Sequence, residues 1–334
     1  MLNCSVIGLG VGERHAEAYV SHTKTRLKSL CDFDKKKLSY VHKKFPKIEF
    51  CLDDRSIIDD KNIQIISIAS FDNYHSDQII RSLNNGKHVM SEKPLCLHPE
   101  ELVKIIEAKK NNTETKLSSN LVLRTNQRFI KLRENIKNNK FGEIFYIEAD
   151  YYWGRKEKLF GWRAEIDNYS IIHGAAIHMI DLSMWLLNKK PISLQVMGND
   201  ISTRSSELAF NSFAVILLEF ENGAIVKLTG NGGCIHPHFH GLKIFGNKLT
   251  AIHNLNEAYY LKPHDSNYKQ ISIDELYPEK ETRKNLIYSF IDSILDDNIV
   301  PVVKESDVFD IMSVCFAAEK AMKTGEKIKI KYYN

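Results

Sequence analysis

One lysine in the first half of the chain has the setting of a catalytic cation. Lys93 lies in the run Gly-Lys-His-Val-Met-Ser-Glu-Lys-Pro, just after a short apolar stretch that predicts a strand. Open parallel sheets bind ligands beyond the carboxyl ends of their strands. An ammonium group there can stabilise negative charge that develops on a reacting oxygen. We therefore predict that Lys93 is catalytic and contacts cofactor and substrate; the alternative is an ordinary surface lysine.

A histidine in the second half of the chain is the best candidate for proton transfer. His178, Asp181 and Trp185 are spaced so that they share one face of a helix. Imidazole titrates near neutral pH and can take up or return a hydroxyl proton. We predict that His178 is catalytic and contacts the substrate, and that Asp181 orients it or binds the substrate. A buried structural histidine bonded to a neighbour is the alternative.

A glycine-rich turn near the start of the chain predicts a dinucleotide site. The run Gly8-Leu9-Gly10-Val11-Gly12 follows an apolar strand and precedes a helix, so its backbone N–H groups can cradle a pyrophosphate. Its spacing is GxGxG, with Glu13 where a third glycine usually stands. Asp32 ends the second predicted strand, where a carboxylate can accept hydrogen bonds from an adenine ribose. Because a 2′-phosphate would meet this charge, NAD is predicted; NADP is the alternative, which Lys35 and Lys36 would favour.

Aromatic and cationic residues in the second half predict contacts with a sugar-like ring. Trp162 and Arg163 are adjacent; an indole can stack on the ring while a guanidinium binds a hydroxyl, carboxylate or phosphate. Simple packing is the alternative. His236, His238 and His240 alternate along a predicted strand, which imitates a metal site. A proline interrupts them and no carboxylate ligand is near. We therefore predict no metal, with His240 near the substrate and the other two exposed or at a subunit contact.

These candidates lie in parts of the chain with different patterns. In residues 1–121, short apolar runs such as 63–69 alternate with helix-period segments such as Pro99–Asn111, which predicts a Rossmann-type, doubly wound parallel sheet. In residues 122–280, longer strands such as Ile144–Tyr152, joined by turns such as Glu221-Asn222-Gly223, predict an α+β domain with a largely antiparallel open sheet. Residues 281–334 predict C-terminal helices that pack back on the first domain.

Length and composition define the broad class of the protein. The chain has 334 residues, the size of two domains, with 43% hydrophobic and 26% charged residues. Its 46 basic and 42 acidic residues give a net charge of +4, too small to indicate nucleic-acid binding. The six cysteines include no CxxC pair, which predicts buried free thiols in a reducing compartment. Without a signal-peptide or membrane-spanning pattern, we predict a cytoplasmic protein that binds neither membrane nor nucleic acid.

Several of these runs together resemble the Gfo/Idh/MocA oxidoreductases, NAD(P)-dependent enzymes of sugars, inositols and related polyols. The resemblance covers nearly the whole chain, and its most specific motif is the run 86–94, which ends in Glu92-Lys93-Pro94. It implies that Lys93 lies near nicotinamide and substrate after a bond that is often cis, and that His178 is the acid or base. The predicted cofactor contacts beyond the glycine turn and Asp32 are Ser70, His75, Glu92, Lys93 and Asn120.

One position departs from the pattern of that family. Many members carry an aspartate four residues before the histidine that matches His178, and here that position is Gly174. The catalytic set would then be Lys93 with His178. We predict hydride transfer between a nicotinamide cofactor and a ring hydroxyl or ketone of a sugar, nucleotide sugar or cyclic polyol, in a homodimer or homotetramer. The alternatives are an NAD-dependent enzyme that cleaves glycosidic bonds and a non-catalytic NAD-binding sensor or scaffold.

Overall fold

The computed structural model describes residues 1–167, 169–265 and 267–334, and in it the chain forms two compact units. The segments of unit 1 are Met1–Val122, Lys280–Phe309 and Tyr333–Asn334, and those of unit 2 are Leu123–Glu279 and Asp310–Tyr332. Within the described residues, no helix is long and apolar enough to cross a bilayer.

Unit 1 is built from strands and helices that alternate along the chain. Its elements as far as residue 119 are β1 (Leu2–Ile7), α1 (Gly12–Ser21), β2 (Thr25–Cys31), α2 (Lys35–His42), β3 (Glu49–Cys51), α3 (Arg55–Ile58), β4 (Ile65–Ile68), α4 (His75–Asn84), β5 (His88–Ser91), α5 (Pro99–Asn111) and β6 (Leu117–Ser119). The described strands form a parallel sheet in the order β3-β2-β1-β4-β5-β6. This confirms the predicted doubly wound sheet.

The sheet of unit 1 brings the ends of its strands to one edge. All four residues of β4 are buried, as expected for a parallel strand covered by helices on both faces. Strand order reverses between β1 and β4, and in open α/β sheets ligands bind beyond the carboxyl ends of the strands at such a point. The predicted residues that follow these strand ends are Gly8, Asp32, Ser70, Lys93 and Asn120.

The chain continues into the second sheet and the C-terminal helices. These elements are α6 (Gln127–Lys137), β7 (Ile144–Tyr152), α7 (Ile177–Leu187), β8 (Pro191–Asn199), β9 (Phe213–Phe220), β10 (Ile225–Asn231), β11 (Phe239–Gly246), β12 (Thr250–His253), β13 (Ala258–His264), β14 (Asn267–Ser272), α8 (Lys284–Leu295), α9 (Glu305–Thr324) and β15 (Ile328–Lys329). The sheet order is β14-β13-β12-β11-β7-β10-β9-β8-β15. Among the described pairs only β7 and β10 run parallel, which confirms the largely antiparallel sheet.

The C-terminal segment differs from the prediction that all of residues 281–334 pack on the first domain. Helix α8 belongs to unit 1, but Asp310–Tyr332 belongs to unit 2. The physical reason is backbone pairing: β15 adds to β8 in antiparallel register, with Ile328 opposite Leu194. A two-residue strand carries too weak a pattern to be seen in the sequence.

Strand β7 separates the two faces of the sheet in unit 2. Its residues Ile147, Ala149 and Tyr151 are buried, whereas Glu148 and Asp150 on the opposite face are partly exposed. Helix α7 packs on the buried face, and its residues from Ile177 to Leu186 are all buried. This packing holds His178, near the start of α7, against the inner face of the sheet.

Candidate active site

The glycine-rich turn after β1 combines two glycines that the fold requires with one that faces open space. Gly8 has a φ of +86°, and a Cβ on it would lie 2.3 Å from the Ala69 carbonyl oxygen. A Cβ on Gly12 would lie 2.8 Å from Val6 Cγ1. Gly10, by contrast, has nothing within 4 Å of its Cβ position. The turn therefore packs tightly against β1 and β4 but leaves its middle open to a ligand.

Asp32 is bound to the same turn. Its carboxylate accepts the Leu9 N–H at 2.8 Å and the Asp34 N–H at 2.9 Å, and the residue is only 5% exposed. The Lys37 ammonium lies 3.3 Å from Asp32 Oδ2, so the cation beside this carboxylate is Lys37 rather than the two lysines before it. The hydrogen bond to Leu9 couples the end of β2 to the glycine-rich turn.

A buried polar network surrounds Glu92, just after β5. Its Oε1 accepts a hydrogen bond from Asn120 Nδ2 at 2.5 Å and lies 3.2 Å from His15 Nε2. His15 Nδ1 is 3.0 Å from Ser67 Oγ on β4. Burial alone would raise the pKa of the Glu92 carboxyl, but its hydrogen bond to His15 and the charges of His15 and Lys93 lower that pKa below its ordinary value. The network thus holds a carboxylate beside Lys93.

Lys93 is half-buried and follows this carboxylate directly in the chain. The Lys93–Pro94 peptide bond is cis, as the resemblance implied. The Lys93 backbone N–H donates to Glu92 Oε2 at 3.4 Å, and the charge of Lys93 helps to lower the pKa of Glu92. The strand end and the carboxylate together define the position of this lysine in unit 1.

His75 and Ser70 occupy supporting positions near the end of β4. His75 is fully buried; its Nδ1 is 2.7 Å from the Pro94 carbonyl oxygen and its Nε2 is 3.2 Å from the Ser70 carbonyl oxygen. Ser70 is partly exposed, and its hydroxyl donates to Gln78 Oε1 at 2.6 Å. His75 therefore supports the turn that contains Pro94, and both of its ring nitrogens contact backbone carbonyl oxygens.

His178 is buried in unit 2, where it stacks on an aromatic ring. It is 8% exposed, and its imidazole lies parallel to the Tyr151 ring, with centroids 5.6 Å apart and planes 9° apart. Tyr151 comes from β7 and His178 from α7, so the contact joins helix and sheet. This stacking fixes the plane of the imidazole.

Asp181 forms a buried ion pair with Arg124. Its Oδ1 accepts hydrogen bonds from Arg124 Nε at 2.9 Å and Nη2 at 2.7 Å. Both side chains are buried, at 1% and 5% exposure, and the Arg124 guanidinium lies over the Trp185 ring at 6.0 Å. A buried ion pair of this kind is structural in character, because neither charge can leave its partner without a large desolvation cost.

Two of the three alternating histidines join the cluster around Tyr151. The His240 ring contacts Tyr151 edge-on, with centroids 4.8 Å apart, and its Nδ1 is hydrogen-bonded to the Tyr277 hydroxyl. The His238 ring lies 5.3 Å from Tyr151 and 5.0 Å from His240. The inner face of the sheet therefore presents three imidazoles, those of His178, His238 and His240, around one phenol ring.

His236 is separated from this cluster. It precedes β11, which begins at Phe239, and its ring stacks on Tyr152 at 4.4 Å. Tyr152 is partly exposed and lies on the opposite face of β7 from Tyr151. The alternating histidines thus do not share one face. In the part of the chain that the structure covers, no group of histidine, cysteine and carboxylate residues has the arrangement of a metal site.

Trp162 and Arg163 stack on one another. The Arg163 guanidinium lies 4.1 Å above the Trp162 ring and 5.7 Å from the Trp153 ring, and its Nη1 donates to the Lys158 carbonyl at 3.0 Å. Both residues are half-buried in a single 3₁₀ turn. The pair forms a cation–π unit with a flat aromatic surface and a guanidinium that donates one hydrogen bond to the backbone.

Gly174 lies in a π-helical turn, Ile172–Ala176, that leads into α7. A Cβ on Gly174 would lie 2.0 Å from the Tyr169 hydroxyl oxygen and 2.8 Å from its Cζ. Tyr169 is 3% exposed and packs against Phe210, with ring centroids 4.9 Å apart. The space that a side chain at position 174 would take is therefore filled by a buried phenol, one helical turn before His178.

Two family models match the chain, one for each unit. A model described as oxidoreductase family, NAD-binding Rossmann fold, matches residues 2–120. A model described as GFO/IDH/MocA C-terminal domain matches residues 129–252. The chain belongs to the Gfo/Idh/MocA oxidoreductase family. The sequence resemblance is thereby confirmed, and unit 1 is the NAD-binding domain of an oxidoreductase.

Similar proteins in this family include inositol dehydrogenases. The chain is 22% identical to inositol 2-dehydrogenase 2 of Saccharopolyspora erythraea, in a match that covers 68% of this chain and 66% of that protein. It is 23% identical to myo-inositol 2-dehydrogenase of Thermotoga maritima, over 74% of this chain and 73% of that protein. The fold is similar to that of scyllo-inositol dehydrogenase from Lactobacillus casei, solved with NAD(H) and scyllo-inositol; the TM-score is 0.82, the identity 18% and the coverage 98% of this chain and 99% of that one.

The residues of unit 1 fit the NAD that this family binds. Gly10 leaves open space in the turn, the N-terminus of α1 follows at Gly12, and Asp32 supplies a carboxylate at the end of β2. A pyrophosphate is favoured at a helix N-terminus, and a carboxylate at the end of the second strand is favoured by ribose hydroxyls. The GxGxG spacing does not disturb this arrangement, because Glu13 lies beyond the open part of the turn and pairs with Lys44.

Two residues of the site were missed as functional candidates in the sequence. His15 contacts Glu92 and Ser67, and it follows Gly12 by one turn of α1. Its position so soon after the glycine-rich turn was a usable signal. Tyr169 fills the space at Gly174, and no signal in the sequence indicates that contact.

Proposed function

We propose that this oxidoreductase transfers hydride between NAD and a ring carbon of a cyclic polyol or sugar, oxidising a hydroxyl or reducing the corresponding ketone. The observation that carries the proposal is the anchored carboxylate of Glu92, which holds Lys93 at the strand-end edge of an NAD-binding sheet. The inositol dehydrogenases among the relatives support this substrate class. A nucleotide sugar is the broader alternative within the same chemistry.

The geometry of unit 1 supports the proposed cofactor contacts. The backbone N–H groups of Gly8-Leu9-Gly10-Val11-Gly12 would bind the pyrophosphate, and Asp32 would accept hydrogen bonds from the adenine ribose. Ser70 and Asn120 would contact the nicotinamide half, with Glu92 and His75 in support. A 2′-phosphate would be repelled by Asp32, so NAD is preferred, and Lys37 is the cation that would make NADP tolerable.

The proposed chemistry divides between a cation and a base. When bound, NAD accepts or supplies the hydride. The Lys93 ammonium would stabilise the negative charge that develops on the reacting oxygen. Electrostatic stabilisation of this kind is usually the largest single contribution to catalysis. His178, held flat on Tyr151, would take up the hydroxyl proton in oxidation and return it in reduction. Trp162, Arg163 and His240 would contact the substrate ring, whereas the buried pairing of Asp181 with Arg124 supports a positioning role for Asp181.

A substrate panel tests this proposal. Cyclic polyols, free sugars and nucleotide sugars would be offered with NAD and with NADP, and the nicotinamide absorbance band would be followed. We expect net NADH formation with at least one cyclic polyol or sugar, and faster turnover with NAD. Release of a free sugar from a glycoside without net NADH would instead identify a glycoside-cleaving enzyme. NADH binding without turnover on any compound would identify a sensor.

The proposed assembly is a homodimer or homotetramer that uses the outer face of the sheet in unit 2. Leu217 of β9 and Ile225 of β10 are 44% and 46% exposed, although both lie within strands. Burial of such side chains between copies would remove them from water. Light scattering on the eluting protein would give the mass; a monomer at working concentration would contradict the assembly. The free cysteines support the proposed cytoplasmic location.

A further inference from the structure

Two cysteines that are distant in sequence lie side by side in unit 1. Cys31 ends β2 and Cys51 ends β3, and their Cα atoms are direct partners in the parallel register of these strands. Neighbouring strands lie about 4.8 Å apart, and disulfides join Cα atoms that are about 4.4 to 6.8 Å apart. The Cys51 Sγ donates to the Leu30 carbonyl oxygen at 3.7 Å, and the Cys31 thiol lies beside it on the neighbouring strand. The two sulfur atoms can therefore bond once the short edge strand β3 shifts towards β2.

The two thiols differ in reactivity. The neighbouring Cys31 thiol lowers the pKa of Cys51; burial raises that pKa and a hydrogen bond from Ser56 lowers it, and the result is about 7. The carboxylates of Asp53 and Asp54 act in the opposite direction. Cys51 is half-buried, whereas Cys31 is 3% exposed, and the pKa of Cys31 is raised by the neighbouring Cys51 and by burial. A partly exposed thiolate beside a buried thiol is the arrangement of an attacking and a resolving cysteine.

We propose that Cys31 and Cys51 are an oxidation site, at which a peroxide converts the two thiols into a disulfide. The Cys51 thiolate attacks one oxygen of hydrogen peroxide, the O–O bond breaks, and hydroxide leaves with the electron pair, so that Cys51 becomes a sulfenic acid. The Cys31 thiol then attacks this sulfur, and the sulfenic oxygen leaves as water with the thiol proton. In sum, two thiols are oxidised, one peroxide is reduced, and two waters form. A dithiol reductant reverses the change.

The oxidation site is coupled to the glycine-rich turn through the backbone. The Gly8 N–H donates to the Cys31 carbonyl at 2.8 Å, and the Asp32 N–H donates to the Cys51 carbonyl at 3.3 Å. Asp32 in turn holds the Leu9 N–H. Because β3 is a three-residue strand at the edge of the sheet, a disulfide draws it towards β2 and changes the position of Asp32. Oxidation therefore weakens NADH binding; this consequence rests on the proposed role of Asp32, whereas disulfide formation does not.

The test uses the full chain, with hydrogen peroxide as the oxidant. Free thiols are counted before and after treatment, and peptide mapping by mass spectrometry identifies any linked pair. We expect the loss of two thiols, a linked peptide that contains Cys31 and Cys51, and full reversal by dithiothreitol. A linked peptide with any other pair, or an unchanged thiol count at a peroxide dose that oxidises free cysteine, would overturn the proposal. This arm uses the wild-type protein and so does not depend on the folding of a variant.

Variants assign the roles of the two thiols. Cys31→Ser should accumulate a sulfenic acid that dimedone traps on Cys51, and Cys51→Ser should form neither product. Cys234→Ser is the matched control, since Cys234 is half-buried in unit 2, and it should respond like the wild type. Trapping at Cys31 in the Cys51→Ser protein would overturn the assigned order of attack.

NADH fluorescence titration then measures the coupling to the cofactor. We expect a several-fold higher Kd for NADH in the oxidised wild type, restored by dithiothreitol, with no such change for peroxide-treated Cys51→Ser. A disulfide that leaves the Kd unchanged would overturn the coupling. Failure of reduced protein to bind NADH at all would instead count against the proposed cofactor site, so the two failures are distinguishable.

Discussion

The hydroxyl oxygen of Tyr169 lies where the side chain of residue 174 would be, since a Cβ on Gly174 would come within 2.0 Å of it. In many members of the family this position holds an aspartate, four residues before the histidine that matches His178. Here a carboxylate cannot enter, because the phenol already occupies the space and is itself buried. In this chain the absence of the aspartate is thus accompanied by a phenol that fills the space beside Gly174.

Gly174→Ala should lower stability, and only in the presence of Tyr169. An added methyl group would overlap the phenol, and overpacking of this kind costs about 1–3 kcal/mol. Urea unfolding would give the free energy of unfolding for Gly174→Ala, Tyr169→Ala and the double variant. We expect the cost of Gly174→Ala to fall substantially in the Tyr169→Ala background. An equal cost in both backgrounds would show that the two residues do not compete for space.

His178→Asn should remove most of the turnover while the affinity for NADH remains. Loss of a general base lowers rates by about 10²–10⁴-fold, and His178 lies in unit 2, outside the NAD-binding unit. The matched control is His236→Asn, because His236 stacks on Tyr152 on the other face of the sheet. Steady-state kinetics on the best substrate of the panel would check this. Equal losses in the two variants would remove His178 from the catalytic set.

Breaking the ion pair between Arg124 and Asp181 should unfold part of the population, whereas replacing both partners should not. Removal of one member of a buried pair leaves an uncompensated charge and costs about 3–5 kcal/mol. We expect Asp181→Leu alone to lose stability on this scale and Arg124→Met/Asp181→Leu to recover most of it, as measured by urea unfolding. If Asp181→Leu keeps full stability but loses substrate affinity, Asp181 is a substrate contact and not a structural residue.

Stability should decrease between about pH 4.5 and pH 7 through Glu319. Burial raises the pKa of this carboxyl from 4.5 to about 7, against hydrogen bonding from Ser170 and the charge of Lys323. Between these values the folded protein holds a proton that the unfolded chain has lost, so folding is favoured at lower pH and weakens as pH rises. The full effect is on the order of 3 kcal/mol.

Glu319→Gln is the variant that isolates this effect. Its amide keeps the shape of the side chain and does not titrate, so the decrease in stability across this interval should become shallower than in the wild type. Urea unfolding at several pH values between 5 and 8 would measure both proteins. Parallel curves for the two proteins would contradict the assignment of the slope to Glu319.

Local patterns predicted much of the fold and the candidate residues of unit 1. The glycine-rich turn, Asp32 and Lys93 follow strand ends, where the alternation of apolar runs and helices fixes their place in the sheet. Helix α5 and strand β7 have the predicted bounds, Pro99–Asn111 and Ile144–Tyr152. In each case the signal is contained in a few consecutive residues.

Contacts between distant residues could not be predicted in this way. Cys51 lies on β3, a strand of three residues that is too short to show a pattern in the sequence. Its proximity to Cys31 comes from the pairing of β3 with β2 and could not be predicted. Tyr169 meets Gly174 from the segment before the π-helical turn, and no local pattern indicates that contact. The ion pair between Arg124 and Asp181 likewise joins residues 57 positions apart, which helix spacing does not indicate.

The most direct test of the proposed chemistry is steady-state NADH formation by Lys93→Ala, with NADH affinity measured in parallel and exposed Lys35→Ala as the control. We predict that Lys93→Ala loses at least about 10²-fold in kcat, the scale expected for one group that stabilises a developing negative charge, while its Kd for NADH and the behaviour of Lys35→Ala stay close to those of the wild type. Turnover by Lys93→Ala at the wild-type rate would contradict the account.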